Sequence, residues 1–346
     1  MDFLTLPWLI ALLAGSALVI GAAGTRLVRI ADRLADVTGI GEAITGAVLL
    51  GALTSLSGVV TSVTAAWEGF PQLAISNAIG GIAAQTAFLA VADMVYRRAN
   101  LEHAAASLTN VLNGCLLLAF LSLILFAALT PPVAVWAVHP LTPLLFVLYV
   151  LGVRMTSEAQ RHPMWGPEQT ADTKVDVPDE PRGGAASVAR LALAALVLGL
   201  IVSAAGWLVG RAGIELVTRA DMSEGVVGML ITAVATSVPE LVTTIAAVRR
   251  GALTLAVGGI LGGNTFDVLF AAFSDIAYRE GSIYHAMSGE EFYIGLLTIL
   301  MTAVLVLGLL QRERHGFANI GFESVLLIVL YAGGALILVQ GPASFQ

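Results

Sequence analysis

The sequence predicts an all-α, polytopic membrane protein: ten transmembrane helices arranged as two five-helix repeats that enter the bilayer with opposite orientation. Three observations predict it. Ten apolar stretches have the length of a span, basic residues gather on one side of the resulting layout, and one fixed offset aligns the two halves of the chain. Composition agrees, because hydrophobic residues make up 58% of the 346 residues and charged residues 12%, whereas soluble domains carry about 25% charge. With a mean hydropathy of +0.89, such a chain has too little polar surface to cover itself in water. Its length therefore bounds a number of spans, each needing about 20 apolar residues.

In the first half the apolar stretches cover residues 7–25, 39–66, 71–95, 107–128 and 132–153. The opening Met1-Asp2-Phe3 has neither the basic segment nor the small-residue cleavage site of a secretory signal, so the first stretch reads as a retained span. In the second half they cover 187–210, 222–248, 253–278, 291–311 and 318–340. Between the halves lies a long polar stretch holding Arg161-His162-Pro163, Lys174, Pro178-Asp179-Glu180-Pro181 and Gly183-Gly184. It divides the chain into a first repeat (1–153), a solvated linker (154–186) and a second repeat (187–346). The single cysteine, Cys115, sits in an apolar run and excludes a disulfide framework.

Basic residues test this layout. With the N-terminus outside, the cytoplasmic side holds Arg26, Arg29, Arg33, Arg97, Arg98, Arg154, Arg161, Lys174, Arg182, Arg190, Arg249, Arg250, Arg312 and Arg314, and the outer side Arg211, Arg219 and Arg279. That asymmetry follows the positive-inside rule and would blur if a span were miscounted. It predicts a plasma (cytoplasmic) membrane protein with both termini outside and the central linker in the cytoplasm. Five spans per half is odd, so the second half enters upside down.

An internal repeat marks the same two halves. An offset of 182 residues aligns Ala22-Ala23-Gly24 with Ala204-Ala205-Gly206, Glu42 and Gly46 with Glu224 and Gly228, and Thr54-Ser55 with Thr236-Ser237. Without a gap it continues through Thr61/Thr243, Gly69/Gly251 and Gly80-Gly81/Gly262-Gly263 to Asp93, Tyr96 and Arg97 with Asp275, Tyr278 and Arg279. Inverted repeats of this kind are characteristic of secondary transporters, whose site lies near the midplane where the repeats meet.

The repeats put polar groups at membrane depth. Thr236-Ser237-Val238-Pro239-Glu240 lies in the middle of the seventh span, where Pro239 removes a helical donor and frees carbonyls beside the hydroxyls. In the next span Gly263 and Asp267, four residues apart, share a helix face with Asn264 beside them, and Gly262-Gly263 thins the backbone for close approach. Oxygens and carboxylates are the ligands hard cations such as Na⁺ and Ca²⁺ prefer.

Thr236-Ser237-Val238-Pro239-Glu240 followed by Gly262-Gly263-Asn264-Thr265-Phe266-Asp267 resembles the second alpha-repeat of the calcium/cation antiporter superfamily, the sodium/calcium exchangers and their relatives. There the repeat reads Gly-Thr-Ser-x-Pro-Glu and later Gly-Ser-Asn-x-x-Asp or Asn. The resemblance implies ten spans, a five-plus-five inverted topology, and a cation site of Glu240 and Asp267 with oxygens of Thr236, Ser237, Thr54 and Ser55. The first repeat departs from the pattern. Leu56-Ser57-Gly58 stands where the family has x-Pro-Glu, Gln85 replaces its Asn or Asp, and Gly81 and Gly263 stand where serine is common. The two remaining carboxylates balance one divalent ion, two monovalent ions or two protons, which disfavours a three-sodium stoichiometry.

The expected activity is antiport of a cation, Ca²⁺ among the candidates, against Na⁺ or H⁺ by alternating access at one midplane site. The site set is Glu240, Asp267, Thr236, Ser237, Thr54, Ser55, Gln85 and Asn264, with Glu240 and Asp267 as the metal-binding carboxylates and Gly80, Gly81, Gly262, Gly263 and Pro239 as hinge or close-packing positions. Two alternatives stay open: monovalent cation/proton exchange, and a degenerate, non-transporting scaffold that kept the fold, motivated by Gly58. Threonines in spans also bond their own helix carbonyls. Asp93-Tyr96-Arg97 and Asp275-Tyr278-Arg279 read as anchors at span ends, and Glu42 and Glu224 as carboxylates at helix N-termini. His103, His139, His162, His285 and His315 read as scattered over loops. The chain has no phosphate-binding GxxxxGK[ST], no GxSxG and no HExxH, so no nucleotide-driven pump, hydrolase or resident cofactor is expected. Expected partners are small inorganic cations and the lipid bilayer, with no nucleic acid.

Overall fold

The structure, a computed structural model, describes residues 5–38, 51–96, 101, 105–161, 185–311 and 321–341. Glu42, Gly46, Arg97, His103, His162, Lys174 and His315 lie outside them, as does most of the expected linker. Among the described residues the regular elements are helices, joined by short loops, apart from an isolated bridge between Val135 and Val138.

In the first half α1 spans Leu6–Thr38, α2 Leu56–Trp67, α3 Pro71–Val95, α4 Leu108–Ala128 and α5 Leu141–Arg161. In the second half α6 spans Ala185–Ala220, and α7 (Glu224–Thr236) meets α8 (Val238–Arg250) at a bend of 50°. Next come α9 (Leu253–Asp267) and α10 (Leu269–Ala277), one span interrupted at Val268, then α11 (Gly289–Gln311) and α12 (Phe322–Gln340). Among the described residues eight helices have the length and hydropathy of a span, and the bent pair makes a ninth. The tenth is represented by the helix of residues 51–54 and α2, the described part of the expected second span. The ten-helix, all-α expectation is met. α1 and α5 run further than hydropathy suggests, to Thr38 and Arg161, because helices continue past the hydrocarbon layer into water.

Packing repeats itself across the halves. α1 lies along α6; α2 packs on α6 as α8 packs on α1; α4 packs on α9 as α11 packs on α3; α5 packs on α10 as α12 packs on α3. Each pair becomes the other on adding or removing 182. Local geometry follows the same rule. Ser55 interrupts the second span at φ −92°, ψ 11°, and Ser237 interrupts the seventh at φ −94°, ψ 9°. Gly69 and Gly251 close α2 and α8 in the left-handed region, at φ 83° and 81°, where a side chain would be strained. Gly24 and Gly206 let α1 and α6 reach the two breaks: an added Cβ would stand 2.6 Å from Pro239 Cγ and 2.6 Å from the Ser57 carbonyl oxygen, respectively.

α3 and the α9–α10 span form the centre, with 78% and 72% of their apolar windows buried, against 33% for α1 and α6 and 28% for α12. The outer helices turn Trp8, Leu18, Leu193 and Leu200 outward, an apolar girdle that suits lipid and not water.

Asp93 and Asp275 correct the reading of a simple interfacial anchor, because both are fully buried. Asp93 accepts from the backbone N–H of Leu101 (2.8 Å) and Gly321 (3.1 Å) and from the Ser324 side chain. Asp275 accepts from the N–H of Ile283 (2.9 Å) and His139 (2.8 Å) and from the Thr142 hydroxyl (2.5 Å). The two sets are mates at the same offset, and each ties the end of a central span to the start of α12 or α5. Glu224 does begin a helix, yet its carboxylate accepts from the Leu73 N–H at 2.7 Å and so caps the N-terminus of α3 as well. His139 and His285 are not scattered: their rings lie 5.4 Å apart, both directed at Thr130.

Alanine at Asp275 leaves three donors without an acceptor, so Asp275→Ala should cost about 3 kcal/mol or more, seen as a lower melting temperature of the purified chain in detergent. Burial, aided by His285 and opposed by Asp275, holds the His139 imidazole below its ordinary 6.5. The folded protein therefore refuses a proton that the unfolded chain accepts. The corresponding stability is complete above pH 6.5 and declines as pH falls from there toward the lowered value. His139→Gln should flatten that acid limb of a melting-temperature profile.

Candidate cation site

The two helix breaks face each other across α3 and α9, and the groups they expose meet there. Ser55 Oγ donates to Asp267 Oδ1 at 2.5 Å, Gln85 Nε2 donates to Asp267 Oδ2 at 2.7 Å, and the same Nε2 reaches Ser237 Oγ at 3.2 Å. Ser55 with Asp267 and Ser237 with Gln85 are mates at the 182-residue offset, so the Gln85–Asp267 bond crosses the pseudo-two-fold axis itself. Asn264 Nδ2 makes a second crossing, to the Ile82 carbonyl at 3.5 Å and the Thr86 hydroxyl at 3.3 Å.

These donors leave oxygens behind. Glu240 Oε2, Gln85 Oε1 and Asn264 Oδ1 are buried and have no hydrogen-bond donor among the described residues. Their carriers sit on three different helices: Glu240 in the first turn of α8, Gln85 in α3, Asn264 in α9. Glu240 and Asp267 are the carboxylates of the set, and Asp267 spends its oxygens on Ser55 and Gln85. A buried set rich in acceptors and poor in donors is costly on its own and is relieved by a positive charge.

The remaining expected residues fall as follows. The Thr54 hydroxyl donates to the Gly51 carbonyl at 2.9 Å, and the Thr236 hydroxyl to those of Thr232 (3.0 Å) and Ala233 (3.1 Å). Their protons are committed to their own helices, and only lone pairs remain to offer. Pro239 opens α8, and Gly24 lies against it. Gly80 is a close-packing position, since a Cβ there would lie 2.6 Å from the backbone of Met229. Gly81, Gly262 and Gly263 have room: an added Cβ would find Ser237 Oγ at 3.7 Å, Asn113 Nδ2 at 3.9 Å and Gln85 Oε1 at 3.9 Å. Gly81 and Gly263 thus border the polar cluster without adding a ligand.

Sequence reasoning missed several neighbours. Ser57 Oγ donates to the Thr236 carbonyl at 3.2 Å, an inter-repeat bond its mate Pro239 cannot make. Asn77, buried on α3, donates to Ser62 Oγ at 2.8 Å and the Gly58 carbonyl at 3.4 Å, leaving its own Oδ1 without a donor. Its mate is Gly259, so the internal repeat carries no signal for it. The π-helical turn Val227–Thr232 in α7 likewise has no sequence mark.

A profile of the sodium/calcium exchanger protein family matches residues 8–155 and 190–340, most of both halves. The chain belongs to that family. Among relatives of this exchanger, a putative antiporter CaxA from Alkalimonas amylolytica is 28% identical over 333 residues, covering 93% of this chain and 95% of the relative. The inner membrane protein YrbG of Escherichia coli (strain K12) is 27% identical over 85% of this chain and 87% of its own length. Of solved structures, an H⁺/Ca²⁺ exchanger CAX superposes with a TM-score of 0.67 at 15% identity, over 97% of this chain and 89% of that one. The sodium-calcium exchanger NCX_Mj gives 0.58 at 20% identity, over 94% and 99%. At these identities the superpositions establish the shared exchanger fold.

Glu240→Gln puts an amide donor among buried acceptors that lack one, so in chelator-treated, salt-free buffer it should raise the melting temperature by roughly 2–4 °C. A fall in melting temperature instead would mean that the Glu240 charge is compensated within the protein.

Proposed function

We propose that this chain is a secondary active antiporter that carries Ca²⁺ against Na⁺ or H⁺ through one central site. Glu240 and Asp267 supply the negative charge, Gln85, Asn264, Ser55 and Ser237 supply neutral oxygens, and Thr54 and Thr236 contribute lone pairs at the helix breaks. The carrying observation is the trio of buried acceptors that have no donor among the described residues, Glu240 Oε2, Gln85 Oε1 and Asn264 Oδ1. Family membership and the names of its relatives, an antiporter and exchangers of Ca²⁺ for H⁺ or Na⁺, support the same reading.

Two carboxylates neutralise one Ca²⁺ or two monovalent ions, which compete for the same oxygens and so exchange one for the other. Residues 1–153 and 187–346 act as the two units whose relative movement exposes the site to either side, and residues 154–186 join them in the cytoplasm. The basic-residue asymmetry supports a plasma membrane location with both termini outside. A second reading, monovalent cation/proton exchange, draws on Gly58, Gly81 and Gly263, which offer this cleft no side-chain oxygen. The smaller coordination shell left by those absences suits a smaller charge.

In proteoliposomes, uptake of ⁴⁵Ca²⁺ should follow an imposed outward Na⁺ or proton gradient, and Glu240→Gln should reduce it about 100-fold or more. Uptake of ²²Na⁺ driven by a pH gradient, with none of ⁴⁵Ca²⁺, would select the second reading. Absence of any gradient-driven cation flux in a monodisperse, folded preparation would leave a non-transporting scaffold.

A further inference from the structure

We propose that the rings of Phe266 and Phe270 close the first-repeat half of the central cleft to cations, making Phe270 the residue that limits how much cation charge the cleft holds. This rests on the antiporter reading above. It begins with Gly58, the mate of Glu240 at the 182-residue offset and a buried position in α2. A Cβ at Gly58 would run into the Phe270 ring, with Cζ at 2.8 Å and Cδ2 at 3.3 Å as well as Cε2. About two turns earlier on the same side, a Cβ at Gly51 would meet Phe266 Cγ and Cδ2 at 3.1 Å. Phe266 and Phe270 pack edge to face (6.4 Å, 75°), and Tyr149 stands edge-on to Phe266 (5.7 Å, 79°). An aromatic row therefore runs beside the second span along the stretch where the seventh span carries its carboxylate.

The other half keeps the outer rings, Phe88 and Tyr331 being the mates of Phe270 and Tyr149, but not the central one. The mate of Phe266 is Ala84, that of Gly51 is Ala233 and that of Gly58 is Glu240, so only the first-repeat half sets rings against bare backbone. Phe270 meets Gly58 with its ring edge, whose hydrogens carry partial positive charge, so it offers no cation–π face there. The nearest backbone oxygen, the Gly58 carbonyl, already accepts from Asn77 Nδ2. Asn77 Oδ1, without a donor among the described residues, is a neutral oxygen and brings no negative charge, and a carboxylate put back at position 58 has no space while Phe270 keeps its place.

The test uses the full-length chain in detergent, titrated with CaCl₂ and separately with NaCl, reading thermal stabilisation and equilibrium ⁴⁵Ca²⁺ binding. Gly58→Glu alone should lower the melting temperature and gain no Ca²⁺ affinity. Gly58→Glu with Phe270→Ala should recover stability and bind Ca²⁺ at least about tenfold tighter than the wild type, a third carboxylate now being seated. The proposal is overturned if Gly58→Glu alone matches the double variant, or if the folded double variant binds no tighter than the wild type. Should the double variant fail to fold, Gly58→Ala, Phe270→Ala and their combination decide: melting-temperature changes that cancel in the combination support the ring contact, and additive ones overturn it. A wild type that binds neither ion while the double variant binds Ca²⁺ would sink the antiporter reading and leave this one standing. A binding wild type with an unimproved double variant would do the reverse.

Discussion

Hydrocarbon offers no hydrogen-bond partner, and that constraint governs every departure from regular helix in this protein. Two spans break at serines near mid-membrane, and a broken helix in lipid leaves backbone groups stranded. Both breaks are therefore enclosed, with α3 and the α9–α10 span between them and α1 and α6 closing over them through Gly24 and Gly206. The most buried spans, α3 and α9–α10, lie beside the breaks, while α1 and α6 cover the breaks with one face and turn the other outward.

Enclosure brings side chains of the two repeats into direct contact, and those contacts are where the symmetry is kept or lost. The Asp93 and Asp275 stations are kept almost atom for atom, down to the two backbone donors that each carboxylate accepts. At the axis the mates diverge: Gln85 faces Asp267, Gly58 answers Glu240, and Ser57 answers Pro239. Gln85 is an amide where its mate is an acid, and its Nε2 donates to that acid. One half of the pair thus satisfies the other, with an amide oxygen left over.

Much of the fold was legible because it is written in periodic or repeated signals: span-length apolar runs and a gapless offset carried by Gly, Thr-Ser and Asp. Of the candidate site, Ser55 and Ser237 could be named because they fall on that offset, Asp267 because it is an acid at membrane depth and Gln85 because it stands where the resembled family has Asn or Asp, and the structure brings them within hydrogen-bond reach. What escaped depends on contacts far apart in sequence. The break at Ser55 has no proline to announce it. Asp93 and Asp275 read as interfacial from their position near span ends, since nothing local shows that Gly321 and His139 will fold over them. The hydroxyls of Thr54 and Thr236 look available until the helix carbonyls that take their protons are seen. Asn77 and Phe270 look like any polar or aromatic residue in a span, and only the third dimension sets them beside Gly58.

The unequal partners at the axis bear on energetics as well as ligation. In an ideal inverted repeat, swapping the conformations of the halves turns an inward-open molecule into an outward-open one of identical free energy, so an unloaded carrier would divide its time equally between them. Here a phenyl ring on one side answers a methyl group on the other, and a serine answers a proline, so the swap no longer returns an equivalent packing. On the proposed alternating-access reading, the empty carrier has a resting side even with no gradient across the membrane, and its apparent affinity on the opposite face is weakened by the fraction of time spent turned away.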